Sequence, residues 1–305
     1  MRRVGILGTT LLANVLIPSI AVACLWTYHT DIYGRSVVLN DPGDESYLLD
    51  ANRQRTERTA HLKRLKAKFE RQPENADYKD RNDYAVVLMS LGEASKAIEI
   101  LQAIEAERPN EYVTAVNLGT AFELSGDLDR ALEWIRIGIE RNPDAHRGSE
   151  WLHVKILEAE IALRSGPAWL ASHSILGLDF GDDFVPVFPS SQVQGNTGQE
   201  LNWETVESSI EYQLRERISL IPPPNAVVAD LLADLACLRA LNQSFELAIP
   251  IYELALEYEP TRRELVEKRL ARAREIVAAN PRSLQPANQF DFASIAIKLG
   301  LCGGC

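Results

Sequence analysis

The sequence predicts an all-α chain arranged as a solenoid of helix-turn-helix units, with one unit interrupted by a long loop insertion. Three observations carry that prediction. Helix-forming residues dominate and alternating β-branched runs are scarce. One mask of small, bulky and proline positions recurs at a fixed interval. Between two of its occurrences lies a stretch rich in Gly, Pro, Ser and Asn, which reads as loop.

The mask is clearest in AVNLGTAFELSGDLDRALEWIRIGIERNP, residues 115–143, at Leu118-Gly119, Phe122, Gly126, Ala131, Gly138 and Pro143. Moved back 34 residues (143 minus 109), the same intervals fall on Tyr84-Ala85, Leu88, Gly92, Ala97, Leu101, Ile104 and Pro109. Aligned on Pro260, they fall on Leu232, Leu235-Ala236, Ala248, Tyr252 and Ala255, while Arg239 and Gln243 break the pattern. Two antiparallel helices approach closely only where a small residue faces a large one. Ser125-Gly126-Asp127 supplies a turn between them, and the proline ends the second helix because it cannot continue the hydrogen-bond ladder. One such pair cannot bury its apolar face alone, so pairs must stack.

These residues resemble the tetratricopeptide repeat, a 34-residue helix-turn-helix with Leu-Gly, Tyr, Ala, Phe and Pro signposts. The likeness covers roughly residues 78–260, and its second window, Tyr112 to Pro143, matches best. The Trp usual before Leu-Gly is absent, with Ala115, Arg81 and Leu232 in its place.

Taken in order, residues 1–23 read as a signal peptide or N-terminal membrane segment. Arg2-Arg3 precedes an uncharged run from Val4 to Trp26, and Ala21-Val22-Ala23 is a small-x-small triplet suited to cleavage. The run is also long enough to span a bilayer, for which about 20 apolar residues suffice. AVAC resembles a bacterial lipobox with Ala21 where Leu is usual, which makes Cys24 a candidate for lipidation. The expected product is exported, periplasmic or membrane-anchored, with cleavage before Cys24 favoured over an uncleaved anchor.

A linker follows at 24–44, then a charged N-terminal capping helix within 45–73. Repeats occupy 78–165 and 202–260. SEWLHVKILEAEIALRSG holds Leu152 and Ile156 in phase as a first helix, but His153 stands where Gly or Ala is usual. Its partner helix is expected only from Trp203, after the loop insertion at 166–201. A C-terminal capping helix at 261–280 spaces Leu265, Leu270, Ala273 and Val277 on one face. The tail, 281–305, ends in CGGC, and FDFASIAIKLG within it is a candidate for one more helix or a strap.

The chain has 43 acidic against 32 basic residues, net charge -11, which repels phosphate backbones and argues against nucleic acid as a partner. No HExxH, nucleophile elbow or Walker loop is present, so neither enzyme, cofactor nor metal ion is expected. Asp182-Asp183 lacks the Gly and Glu placement of an EF-hand loop, and Asp179-Phe180-Gly181 lacks the other kinase segments. Cys302 and Cys305 have C-x-x-C spacing and are candidates for a disulfide, and a redox or metal-handling role through them is the alternative function.

The resemblance implies protein binding. In a repeat stack the first helix of each pair lines a concave groove. In the family, the polar residue before Leu-Gly often contacts a bound peptide backbone; here that residue is Asn117, with Asp83 and Asp234 in matching places. Lys79, Asn82, Val86, Val116 and Thr120 are expected along the same wall, as is Cys237. An Asn amide both donates and accepts, which suits it to reading main chain. No second cation matches Lys79, so a basic or neutral segment fits better than a C-terminal carboxylate. The expected function is a non-enzymatic scaffold or assembly factor that binds a peptide segment of another protein outside the cytoplasm. Membrane association, if any, runs through the N-terminus.

Overall fold

The computed structural model describes residues 26–40, 48, 55–71, 73 and 76–280. The expected signal peptide or N-terminal membrane segment at 1–23, Cys24, and the tail with Cys302 and Cys305 lie outside the described residues. Within them the fold is mostly helical, with eleven helices and little strand. No described helix is long and apolar enough to cross a membrane.

The N-terminal described segment departs from expectation. Part of the presumed linker is an antiparallel hairpin of β1 (Trp26–Thr30) and β2 (Ser36–Asn40), paired from Trp26↔Asn40 to Thr30↔Ser36. WTYHT and SVVLN are aromatic and β-branched, and Gly34 at φ 75° turns the chain between them. The hairpin is tied to the far end of the chain. Thr30 donates through its backbone N and its Oγ1 to the Glu246 carboxylate (2.8 and 2.6 Å), and Asn280 Nδ2 donates to Thr30 Oγ1 at 3.1 Å.

The helices follow as α1 (Arg55–Phe69), α2 (Tyr78–Ser90), α3 (Ala94–Glu107), α4 (Tyr112–Ser125) and α5 (Leu128–Arg141). A single turn, α6 (Ala145–Gly148), leads into α7 (Glu150–Ser165). After the insertion come α8 (Trp203–Leu220), α9 (Ala226–Asn242), α10 (Phe245–Glu257) and α11 (Arg263–Ala279). Local chemistry sets the ends. Asp77 forms a capping box with Asp80, and Asn202, Asn225 and Ser244 each accept a first-turn N–H. Gly126, at φ 86°, ends α4 in the left-handed conformation that side-chain-bearing residues adopt at a cost.

Consecutive helices α2 to α5 pack on one another, as do α9, α10 and α11. The tightest fit is between α4 and α5. A β-carbon built on Gly119 would collide with Ile135 Cδ1 and lie 2.6 Å from Ile135 Cγ1, and one on Gly138 would lie 2.5 Å from Val116 Cγ1. The contact is therefore reciprocal, with a glycine in each helix under a branched side chain of the other. The residue that Gly119 faces is Ile135 of α5.

The third unit does not close as expected. Helix α8 runs chiefly along α9 and touches α7 only briefly, so α7 and α8 are not the two arms of one hairpin. His153 occupies in α7 the place that Gly119 holds in α4, and an imidazole there denies a second helix the close seat that a glycine offers. Two apolar cores result. Leu88, Leu101, Phe122 and Ile135 belong to one, under α2 to α5; Ile156, Leu214, Leu235 and Tyr252 belong to the other, under α7 to α11.

The insertion is partly packed. It contains a 3-10 turn at Trp169–Ala171 and a minimal hairpin of β3 (Val193–Gln194) and β4 (Glu200–Leu201). Ile175, Leu178 and Phe180 are buried, whereas Phe184, Val187 and Phe188 are about half exposed. Arg269 of α11 fastens the loop by donating to the carbonyls of Phe180, Gly181 and Asp183.

Candidate functional site: a charged seam beside a concave cavity

Where α4, α7 and α8 meet, the chain buries a cluster of ionisable groups beside the hydrocarbon that α7 gives to both cores. The Glu123 side chain, from the last turn of α4, is only 7% exposed. It accepts a hydrogen bond from His153 Nε2 at 2.7 Å and is paired with Arg217 of α8 through both guanidinium Nη atoms. On its other side the His153 ring sets Nδ1 3.3 Å from Glu150 Oε2, and Glu150 Oε1 is paired with His146 Nδ1. Four side chains thus alternate in sign along one path, Glu150, His153, Glu123 and Arg217, and His146 is hydrogen-bonded to its Glu150 end. Gln213 Nε2 donates to Ser149 Oγ at 3.3 Å, adding a neutral tie between α8 and the start of α7.

Electrostatics keep this path charged. Burial opposes ionisation of Glu123, but the charges of Arg217 and His153 outweigh it and hold its carboxyl far below the usual range. Burial likewise opposes ionisation of Glu150, yet hydrogen bonding to His146 and His153 brings it to about 2. Burial would lower His153, but Glu123 and Glu150 raise it to about 9, so the imidazolium persists at neutral pH. Glu160 is the exception; burial and the neighbouring Glu123 push it up to about 7.

His146 owes its position to an unusual backbone. His146, Arg147 and Gly148 all have positive φ, at 50°, 59° and 74°. Left-handed non-glycine residues persist only where their surroundings hold them. Here Glu150 holds one side of the ring, and Tyr212 of α8 stacks on it with centroids 5.2 Å apart.

Beside this seam lies a cavity of about 260 Å³. Val86, Asn117, Thr120 and Leu124 line it from α2 and α4, and Tyr212 and Leu220 line it from α8. Three of the residues expected along a binding wall, Val86, Asn117 and Thr120, are therefore brought together. The others are not. Asn82 is buried; its Nδ2 donates to Tyr78 O and Thr114 Oγ1, and its Oδ1 accepts from Asn117 Nδ2 at 3.4 Å. Val116 is buried against Gly138. Asp234 is buried in α9, where burial and the neighbouring Asp230 raise its pKa well above the carboxylate range, and its Oδ2 lacks a hydrogen-bond partner. Asp83 opens toward α1 beside Leu65 and Phe69, and Lys79 sits exposed over the Tyr78 ring. Asn82, Val116 and Asp234 are thus withdrawn as surface residues. In each case 34-residue spacing set the position along the helix but not how deeply its neighbours cover it.

Cys237 is likewise internal, 3.4 Å from the Tyr252 hydroxyl and accepting from Arg269 Nη1 at 3.1 Å. Among the described residues no group of three or more His, Cys, Asp or Glu side chains is arranged to hold a metal ion.

Glu123, Glu150 and Arg217 were not singled out by sequence, because nothing distinguishes them among so many charged helix residues. The one available signal was His153 in a position that requires a small side chain. No protein-family model matches this chain, and no curated protein matches it in sequence.

Proposed function

We propose that this chain is a tetratricopeptide-repeat-like scaffold or assembly factor that binds an extended segment of another protein in its concave groove. The observation that carries this reading is the convergence of Val86, Asn117 and Thr120, from the first helices of successive pairs, on one open cavity. Recurrence of the mask in α2–α3, α4–α5 and α9–α10 supports the repeat assignment, as does the mutual glycine contact of Gly119 and Gly138. Asn117 has a single long hydrogen bond to relinquish, and Thr120 Oγ1 donates to Val116 O while keeping its lone pairs free to accept. Both suit the reading of a peptide main chain.

The test is affinity capture followed by titration. Asn117→Ala is expected to weaken a captured partner about tenfold, the loss of one enclosed hydrogen-bonding amide, with an unchanged melting temperature. Full affinity in the variant would remove Asn117 from the binding wall.

The same reading places the protein outside the cytoplasm, periplasmic or membrane-anchored, on the strength of Arg2-Arg3, the apolar run and Ala21-Val22-Ala23. Intact-mass measurement of the cellular product is expected to show a chain beginning at Cys24. A product that keeps Met1 and stays in the cytosol would end the export proposal.

A further inference from the structure

We propose that the seam cavity receives one bulky aliphatic or aromatic side chain of the partner segment, and that a lysine or arginine next to this anchor pairs with Glu216. The proposal rests on the groove reading above and gives it a partner chemistry.

Size sets the first limit. An apolar cavity of about 150 Å³ accepts benzene, so about 260 Å³ accommodates a single Leu, Met or Phe side chain and little more. The cavity is this small because half of its wall is α8, which is no first helix of a repeat pair and lies across the space that a longer groove would use. Arg217 anchors α8 there through Glu123. Recognition is therefore of a short motif with one anchor.

The lining sets the second. Val86 is 41% exposed, and with the partly buried Leu124, Leu220 and Ile221 it presents hydrocarbon to the cavity. Burying a large apolar side chain there favours binding in proportion to the apolar area removed from water.

Charge sets the third. Glu123 is balanced by His153 and Arg217, and Glu150 faces His153 on one side and is hydrogen-bonded to His146 on the other. Among the described lining residues, Arg217 through both Nη atoms and His153 through Nε2 are already committed to the Glu123 carboxylate, which leaves neither to an acidic residue or a terminal carboxylate. Glu216 lines the same cavity with a side chain 53% exposed. Its neighbour Arg215, 3.5 Å away, is comparably exposed, and such surface pairs contribute little. An incoming cation can therefore compete with Arg215 for the Glu216 carboxylate at little cost.

The test is selection from a random peptide library displayed on phage, panned against the purified full-length chain. Enriched peptides are then synthesised and titrated by fluorescence anisotropy. The expected set carries an aliphatic or aromatic residue with Lys or Arg within two positions. Val86→Lys, at an exposed site, is expected to weaken these peptides about tenfold or more while leaving the melting temperature unchanged. Glu216→Lys is expected to weaken them about tenfold, and to leave an analogue with the basic residue replaced by Gln unaffected. Peptides that feel Val86→Lys but are acidic, lack the anchor, or ignore Glu216→Lys would overturn this partner chemistry and leave the groove intact. No enrichment, or binding indifferent to both Val86→Lys and Asn117→Ala, would remove the groove reading and this proposal with it.

Discussion

Replacing Glu123 by alanine is expected to destabilise the chain by about 3–5 kcal/mol, the usual consequence of removing one partner from a buried ion pair. The cause is what remains. His153 and Arg217 would be left as two enclosed cations with no carboxylate between them, each side chain 7% exposed. Because α4, α7 and α8 meet at this carboxylate, the loss should fall on the junction between the two cores rather than on either core. Hydrogen exchange is expected to accelerate in α7 and α8 while the α4–α5 contact stays protected. Removing the charges altogether tells the energetics apart: Glu123→Leu and Glu150→Gln with His153→Leu and Arg217→Met should recover much of the loss, since well-packed neutral groups often equal a buried ion pair. A single Glu123→Ala variant that melts like the parent would mean the network is not holding the seam.

The same groups predict a pH profile with a definite sign. Glu150 and Glu123 are depressed in the folded state, so their contribution is complete above about pH 4.5 and is lost as pH falls toward 2 and below. His153 is raised from 6.5 to about 9, so its contribution is complete below 6.5 and is lost as pH rises through about 9. The network is therefore fully effective between about 4.5 and 6.5. Asp230, raised by burial to about 6, and Glu160, raised to about 7, add in the same direction on the alkaline side, because each must ionise against its surroundings as pH rises. Urea unfolding is expected to show greater stability near pH 5.5 than near pH 8.5. Glu123→Ala should flatten the part of that slope that belongs to His153.

How much of this was legible in the sequence differs by level. The helices of α2 to α5 and their turns could be read directly, because Gly92, Gly126 and the prolines punctuate a mask set by packing. The β1–β2 hairpin could not be, since a five-residue strand beside an uncharged apolar run has too few alternations to stand out. The separation of α8 from α7 was hidden for a different reason. Interval matching assumes that every unit closes on itself, and the only residue that protested was His153. Exposure along the wall was the least legible of all. Asn117 and Asp234 fall on the same position of the mask, yet one lines the cavity and the other is buried in α9. Which of two equivalent positions is covered depends on side chains contributed by the next helix, and no period within a helix encodes that.

Gly119→Leu tests the packing that the repeat assignment depends on. Overpacking a filled contact typically costs about 1–3 kcal/mol, and the upper end is expected here. A β-carbon at Gly119 meets the Ile135 side chain inside van der Waals distance and lies 3.2 Å from the Ile135 backbone N. The side chain can move away by changing rotamer, but the backbone atom moves only if α5 moves as a whole. Displacing α5 also disturbs the reciprocal contact of Gly138 with Val116, so the strain cannot be relieved at one end. Gly119→Ala in an Ile135→Ala background separates the two components. If the clash is with the Ile135 side chain, the double variant should be more stable than the sum of the single changes predicts. If helix–helix approach is what matters, Gly119→Leu should stay poorly stable even with Ile135→Ala, because the helix backbones still cannot close. An unshifted melting temperature for Gly119→Leu would mean that α4 and α5 are not in close contact at this point, and the reading of the mask as a packing code would fail there.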